Sequence, residues 1–318
     1  MNPQTRLILV EGVPFTGKST TSEYVAAQLN LNGHPAYWVS EGTLLQDHFP
    51  HVSAVLDRRQ PVSESSLHAE WRRFVETVMA AAMIFVVDSM LSYAAVDPLL
   101  MENRPVEAIH AELRHIAELC ADLQPRVIHL TGDVERLVPA SIVERGEGWR
   151  EHLVRQAEST PYQQARGRSG IAGAISLLHD SQALVGAVLA QDNWPTLTLD
   201  VTNADWAAHQ RAILDFLSLD EVPVDRPALA RSVLQSYVAT YAADDLERSP
   251  NVLFVRLEHD TLALHGPDRR YSTLVPISAT RFHLQATPLD IEFVVEAELA
   301  QHLMLHTADG KVHSYRRT

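Results

Sequence analysis

The sequence contains very little lysine, because only Lys18 and Lys311 account for its lysines and the remaining 24 of its 26 basic residues are arginines. Cysteine is equally scarce: Cys120 stands alone, can form no internal disulfide bond, and is expected to pack as a small apolar residue of a helix. No apolar run approaches the roughly 18 residues that a membrane span needs. The first residues lead into a predicted strand without a signal-peptide pattern. These absences predict a cytoplasmic protein with no membrane partner.

Basic residues are also fewer than acidic ones, and the net charge is −14. Residues 226–318 carry ten basic and eleven acidic residues, so residues 1–225 hold a net charge of −13. A region this acidic repels a nucleic-acid backbone. The charge distribution therefore predicts no nucleic-acid partner, although a small anionic ligand could still be held in a local arginine pocket.

One of the two lysines stands in a phosphate-loop pattern, in which a glycine and four further residues precede Gly-Lys-Ser. In such a loop, backbone N–H groups surround the phosphates of a nucleoside triphosphate. Lys18 would reach the β- and γ-phosphates, and Ser19 would ligate Mg²⁺. The predicted nucleotide-binding residues are Gly12, Val13, Pro14, Phe15, Thr16, Gly17, Lys18, Ser19 and Thr20. The pattern predicts that the protein binds a nucleoside triphosphate together with Mg²⁺.

The surroundings of this loop support the same interpretation. Residues 6–10 before it form a short apolar run typical of a buried parallel strand, and residues 18–32 after it form a predicted helix that stops at Gly33. The alternative is a glycine turn that carries an ordinary surface lysine. This alternative is the weaker one, because the chain uses arginine almost everywhere else and a lysine here therefore looks required.

Strand-like and helix-like segments alternate through residues 1–222, the first predicted domain. The predicted strands cover 6–10, 36–40, 83–88, 125–130 and 196–200. The predicted helices cover 18–32, 64–82, 105–122, 170–190 and 205–219. Residues 44–63 are predicted to be irregular. This alternation predicts an α/β fold with a doubly wound parallel sheet, as in P-loop NTPases.

A linker marked by Pro223, Asp225 and Pro227 follows, and beyond it apolar residues recur with the two-residue period of strands. Residues 223–318 form the second predicted domain. A short helix is predicted over 228–241. The predicted strands cover 251–257, 261–265, 271–276, 280–285, 290–296, 301–306 and 311–316. Turn signals occur at Gly266-Pro267-Asp268 and at Asp309-Gly310. We predict a smaller, mostly antiparallel β domain whose helix packs across an open face.

Two carboxylates follow predicted strands of the parallel sheet. Ligands of such sheets bind beyond the carboxyl ends of the strands, so Glu41 and Asp88 would face the same crevice as the phosphate loop. Asp88 would reach the Mg²⁺ shell or the substrate, with a strand-end cap as the alternative. For Glu41, a role toward substrate and a simple cap of the next helix weigh equally on position alone.

Arginines cluster beyond the fourth predicted strand, on a segment that contains Gly146 and Gly148. Glycines beside an arginine-bearing helix suggest a hinged lid. An arginine that closes onto the transferring phosphoryl group, for which Arg145 and Arg150 are candidates, would neutralise charge in the transition state. The alternative is a solvated helix whose arginines pair with its glutamates.

The order of Glu11-Gly12, the Gly17-Lys18-Ser19-Thr20 run, Glu41, Asp88 and an arginine lid resembles the thymidylate-kinase and deoxynucleoside-kinase branch of P-loop kinases, over residues 1–219. The resemblance implies that Glu41 is the base toward the substrate hydroxyl. It also implies that Arg145 is the lid arginine, with Arg150 as a second candidate, and that Asp88 begins the third-strand motif.

Two positions differ from that branch. Its members usually carry an arginine after the third-strand acid and, in thymidylate kinases, another before the second-strand glutamate, whereas this chain has Ser89 and Ser40. Those arginines hold the phosphate of a nucleotide substrate. Their replacement favours an acceptor that is a neutral hydroxyl compound.

The second domain resembles a small β domain that is appended to many serine β-lactamase-like proteins. Two segments, 234–241 and 274–282, carry the resemblance. It implies no catalytic residue. The domain is expected to serve as a scaffold, an oligomer contact or a substrate cover.

The favoured function is an ATP- and Mg²⁺-dependent kinase that phosphorylates a hydroxyl of a small molecule such as a nucleoside. Lys18, Glu41, Asp88, Arg145 and Arg150 are its candidate catalytic residues, and Ser19 and Asp88 its candidate metal ligands. The first alternative is a nucleotide-dependent ATPase switch that signals through the β domain. The second is a binding module that has kept only the fold. The expected partners are a nucleoside triphosphate and a small-molecule acceptor, and a homo-oligomer is possible.

Overall fold

The computed structural model divides the chain into two compact units. It describes residues 4–318 except 58, 159, 192–193, 225, 246–249, 268–269 and 308–309. The first unit comprises Met1–Ser141 and Arg150–Val222, and the second comprises Ile142–Trp149 and Pro223–Thr318. The predicted linker residue Asp225 and the predicted turn residues Asp268 and Asp309 lie outside the described residues.

The first unit is built on a sheet of five parallel strands, in the order β2-β3-β1-β4-β5. The strands are β1 (Leu7–Glu11), β2 (Ala36–Val39), β3 (Ile84–Asp88), β4 (Arg126–Thr131) and β5 (Thr196–Asp200). β1 and β3 are buried along their whole length, because helices cover both faces of a parallel sheet. The five predicted strands are confirmed.

Helices connect these strands. They are α1 (Lys18–Leu31), α2 (Glu41–Thr43), α3 (Pro50–Leu56), α4 (Glu64–Ala80), α5 (Asp97–Met101), α6 (Val106–Cys120), α7 (Val134–Arg145), α8 (Glu147–Ala157), α9 (Pro161–Arg166), α10 (Gly170–Gln191) and α11 (Trp206–Leu217). π-Helical turns cover Leu44–His48 and Ser92–Val96, and a 3₁₀ turn covers Ala121–Leu123. The doubly wound α/β fold is confirmed. Cys120 is buried at the end of α6, and burial raises the pKa of its thiol to about 12.

The prediction that residues 44–63 are irregular is wrong for its first part, since helical turns cover Leu44–His48 and Pro50–Leu56. Pro50 is the first residue of α3, where a missing N–H group costs nothing. The Glu70 carboxylate of α4 accepts the backbone N–H groups of His51 at 2.6 Å and Val52 at 3.3 Å. The cap of α3 therefore comes from a distant helix and leaves no local signal.

α10 is the longest helix, and by length and composition alone it could cross a membrane. A helix in the core of a soluble protein meets the same criterion. The buried side chains Leu177, Leu184 and Val188 recur along one face of α10. This spacing places one face of the helix inside the first unit.

The second unit contains a closed antiparallel barrel of eight strands, which follow one another around it as β10-β11-β12-β13-β6-β7-β8-β9. The strands are β6 (Ala239–Ala243), β7 (Val252–Glu258), β8 (Thr261–His265), β9 (Arg270–Pro276), β10 (Arg281–Leu284), β11 (Asp290–Glu296), β12 (Leu299–His306) and β13 (Val312–Arg317). Buried residues alternate along β7 and β11, so one face of each strand fills the interior.

Two expectations about this unit are wrong. The predicted helix over 228–241 is a shorter helix, α12 (Arg231–Tyr237), followed by the unpredicted strand β6. β6 pairs with both β7 and β13 and closes the barrel, so the described sheet has no open face. Instead, α12 contributes Leu234 and Tyr237 to the barrel core, where the Tyr237 ring stacks on Phe293 at 4.4 Å.

Candidate functional site

The phosphate loop connects the central strand β1 to α1 through backbone that only glycine adopts easily. Gly12 has φ +147°, and a Cβ atom there would lie 2.3 Å from the carbonyl oxygen of Leu130. Gly17 has φ +80°, and its Cβ would lie 2.5 Å from Cη2 of Trp206. At Gly12 both conformation and space therefore require glycine, and at Gly17 the positive φ angle favours it.

Internal hydrogen bonds hold the loop in this shape. The carbonyl oxygen of Val13 accepts the Thr16 hydroxyl at 2.8 Å and the Lys18 ammonium Nζ at 3.0 Å. Lys18 is 6% exposed, so its charge lies within the loop. Phe15 has φ +78°, a strained conformation for a residue with a large side chain. Strain of this kind gathers at functional sites, where the surrounding structure maintains it.

Ser19 and Asp88, the predicted metal ligands, lie in direct contact. The Ser19 hydroxyl donates to Oδ2 of Asp88 at 2.5 Å, while the Ser89 hydroxyl donates to Oδ1 at 2.7 Å. Asp88 is fully buried. The contact follows from the sheet, because Asp88 at the end of β3 lies in register with Val10 of the neighbouring strand β1.

The donor set of this pair suits Mg²⁺, which prefers oxygen ligands and shares its coordination between a few protein groups and substrate phosphates. Among the described residues, no cluster of three or more histidine, cysteine, aspartate or glutamate side chains could hold a metal ion. If the site takes Mg²⁺, Ser19 and Asp88 are the side chains placed to hold it, together with phosphate oxygens and water.

Glu41 lies at the same edge of the sheet. It is the first residue of α2 and follows β2, which pairs with β3 through Val39 and Val87. The helix cap that the sequence left open for Glu41 belongs to Ser40, whose hydroxyl accepts the Thr43 N–H at 3.3 Å. The carboxyl ends of β2, β3 and β1 thus bring Glu41, Asp88 and the phosphate loop to one edge.

Glu11, the last residue of β1, was not predicted as a site residue. It is fully buried and accepts hydrogen bonds from the N–H groups of Leu91 at 2.7 Å and Ser92 at 3.2 Å, and from the Ser92 hydroxyl at 2.9 Å. Burial raises the pKa of Glu11 to about 7. The hydrogen bonds and the charge of Lys18 act in the opposite direction, but burial is the larger effect. Its carboxyl group therefore fixes the start of the helical segment after Asp88.

This carboxyl group makes stability depend on pH. The unfolded chain releases its proton near pH 4.5 and the folded chain near pH 7, so the contribution of Glu11 falls as pH rises between these values. The total change is about 3 kcal/mol. We expect Glu11→Gln to remove this slope in urea unfolding measured from pH 5 to pH 8. A stability difference between wild type and variant that stays constant over this range would contradict the assignment.

A small cavity of about 40 Å³ lies beside Pro14 of the phosphate loop. It is lined by Pro14, Leu56, Tyr93, Asp97, Met101, Leu153, Gln156, Ala157, Ala174, Leu177, Leu178 and Ser181. Oδ1 of Asp97, at the start of α5, accepts the hydroxyl of Ser181 in α10 at 2.6 Å, and burial raises the pKa of Asp97 to about 6. The sequence did not point to this pair, because the two residues lie 84 positions apart.

The two predicted lid arginines have different surroundings. Arg145 ends α7 and belongs to the second unit, where its guanidinium lies 5.0 Å from the ring centre of Trp149. Both residues line a cavity of about 420 Å³ with barrel residues of the same unit. Arg150 lies in α8, is exposed and belongs to the first unit. The lid role of both arginines remains a prediction.

Comparison with solved structures finds proteins of similar fold, whereas comparison by sequence finds none. No protein-family model matches the chain, and no curated protein matches it. Among solved structures, thymidylate kinase from Candida albicans has a TM-score of 0.43 and 13% sequence identity, over 70% of this chain and 97% of that one. A likeness at this level supports no functional argument, so the function is inferred from the site.

Proposed function

We propose that this protein is an ATP- and Mg²⁺-dependent phosphotransferase that moves the γ-phosphoryl group of ATP to a hydroxyl group of a small molecule. The observation that carries the proposal is the phosphate loop with its buried Lys18, next to the contact between Ser19 and Asp88. A phosphate cradle and a pair of oxygen ligands for a cation are the two parts that phosphoryl transfer requires.

In the proposed reaction, separate groups bind the phosphates, hold the cation and accept the proton. Backbone N–H groups of the loop and Lys18 bind the phosphates, and Ser19 and Asp88 hold the cation. When bound, Mg²⁺ neutralises negative charge on the β- and γ-phosphates. The acceptor oxygen forms a bond to the γ-phosphorus while the bond to the β,γ-bridging oxygen breaks. ADP leaves, and the acceptor's hydroxyl proton passes to the Glu41 carboxylate.

The acceptor side of the site favours a compound without a phosphate group. Ser40 and Ser89 stand where the kinases that this chain resembles carry arginines that hold one. The proposed acceptors are therefore nucleosides, sugar-like compounds or aminoglycosides.

The proposal is tested by ATP consumption of the purified protein with Mg²⁺, alone and against a panel of nucleosides, nucleoside monophosphates, aminoglycosides and other hydroxyl compounds. We expect ADP release that depends on an acceptor, together with a product heavier by one phosphoryl group. Slow hydrolysis that no acceptor changes would contradict the kinase and favour an ATPase switch.

Replacement of Glu41 by glutamine is expected to lower phosphoryl transfer by about a hundredfold or more, since a positioned general base contributes about 10²- to 10⁴-fold. ATP affinity should stay unchanged, because this carboxylate acts on the acceptor. Steady-state transfer and ATP binding are measured side by side. Glu118→Gln is the matched control, since Glu118 lines a cavity at the opposite, amino-terminal edge of the sheet. Full transfer by Glu41→Gln would show that another group takes the proton.

A further inference from the structure

An exposed tryptophan lies against the phosphate loop. Trp206 is 39% exposed, and the six-membered part of its indole ring faces Gly17, where a Cβ atom would lie 2.5 Å from Cη2 and 3.2 Å from Cζ2 and Cζ3. An aromatic side chain that contacts the loop and still offers more than a third of its surface to solvent is available to a ligand.

Its own helix fixes the backbone of Trp206. Trp206 is the first residue of α11, and the Asp205 carboxylate caps this helix by accepting the Ala208 N–H at 3.2 Å. The backbone N–H group of Trp206 donates to the carbonyl oxygen of Ala204 at 2.9 Å. The His209 ring meets the indole edge to face, with ring centres 5.6 Å apart. The backbone of Trp206 is therefore fixed, and the His209 ring packs against its indole.

The order of the strands gives the direction of a bound nucleotide. The phosphate loop follows the central strand β1, and Asp88 and Glu41 follow β3 and β2 on one side of it. Trp206 follows β5, on the other side. Because the γ-phosphoryl group must lie toward the carboxylates, the nucleoside end of the triphosphate points toward β4 and β5, where Trp206 lies.

We propose that Trp206 is the stacking platform for the base of the nucleoside triphosphate. This inference rests on the proposed function. Stacking on an aromatic face is tolerant of base identity, and a purine offers the larger face. We therefore expect ATP and GTP to bind within about tenfold of each other.

The test compares ATP with inorganic tripolyphosphate, which carries the phosphates without a base, each with Mg²⁺. We expect ATP, but not tripolyphosphate, to quench tryptophan fluorescence of the wild type. Trp206→Phe should abolish this quench. Trp194→Phe is the matched control and should keep it, because Trp194 precedes β5 at the opposite edge of the sheet.

Affinities separate a base contact from a structural role. Trp206→Ala should weaken ATP about tenfold, the size expected for loss of one stacked base, and leave tripolyphosphate affinity within twofold of the wild type. Trp206→Phe, which keeps a smaller ring, should weaken ATP less. Equal weakening of both ligands would mean that Trp206 only supports Gly17, and unchanged ATP affinity would mean that no base contacts it; either overturns the proposal. If neither ligand binds the wild type, the nucleotide site itself fails, and this inference fails with it.

Discussion

Lys18→Ala is expected to lower kcat/KM for ATP by about a thousandfold or more and to weaken ATP binding by about a hundredfold. A hydrogen bond to a charged group contributes about 1.5–3 kcal/mol, and Lys18 would make such bonds to two phosphates. A thousandfold loss corresponds to about 4 kcal/mol. The lysine is already buried and directed into the loop by its bond to Val13, so alanine removes a positioned charge.

Lys311→Ala provides an unusually clean control, because it removes the only other lysine of the chain. Lys311 precedes β13 of the barrel, in the second unit. Nucleotide affinity is measured by calorimetry with ATP and Mg²⁺, and folding by circular dichroism. Unchanged ATP affinity of a folded Lys18→Ala variant would end the argument for a phosphate loop.

Much of the first unit could be predicted because its signals are local. The strands β1 (Leu7–Glu11) and β3 (Ile84–Asp88) are short apolar runs that are buried along their length, and each ends in a carboxylate. Parallel strands place their carboxyl ends at one edge. Position along the chain was therefore enough to bring Asp88 to the phosphate loop, where the structure finds it bonded to Ser19.

The remaining features depend on contacts between distant parts of the chain. Glu11 was visible as a strand end, but only packing shows that it binds Leu91 and Ser92, 80 and 81 positions further on. Periodicity also could not reveal that β6 closes the barrel, because its partners β7 and β13 lie on opposite sides of it. A strand is recognised locally, whereas closure is a property of long-range pairing.

Trp206 illustrates the same limit at the candidate site. In the sequence it opens a predicted helix 189 positions after Gly17, and nothing in its neighbours indicates a contact with the loop. The structure shows that the indole occupies the space that a side chain at position 17 would need. This contact could be found only in the structure, whereas the positive φ angle of Gly17 belongs to the loop itself.

Asp88→Asn is expected to reduce Mg²⁺-dependent phosphoryl transfer by about a thousandfold, since a catalytic metal contributes several kcal/mol of charge stabilisation. The substitution keeps the shape of a fully buried side chain, and an amide can still bond to the Ser19 and Ser89 hydroxyls. The fold should therefore survive while the anionic ligand is lost.

The decisive measurement is the Mg²⁺ dependence of transfer, which should move to much higher concentrations in Asp88→Asn and, to a smaller extent, in Ser19→Ala. If both side chains hold one cation, the double variant should lose less than the product of the two single losses, because residues that share a ligand do not act independently. Asp200→Asn is the matched control: Asp200 also ends a strand of this sheet, but its side chain is exposed. A normal Mg²⁺ dependence in Asp88→Asn would place the metal elsewhere and leave Asp88 as a structural partner of Ser19.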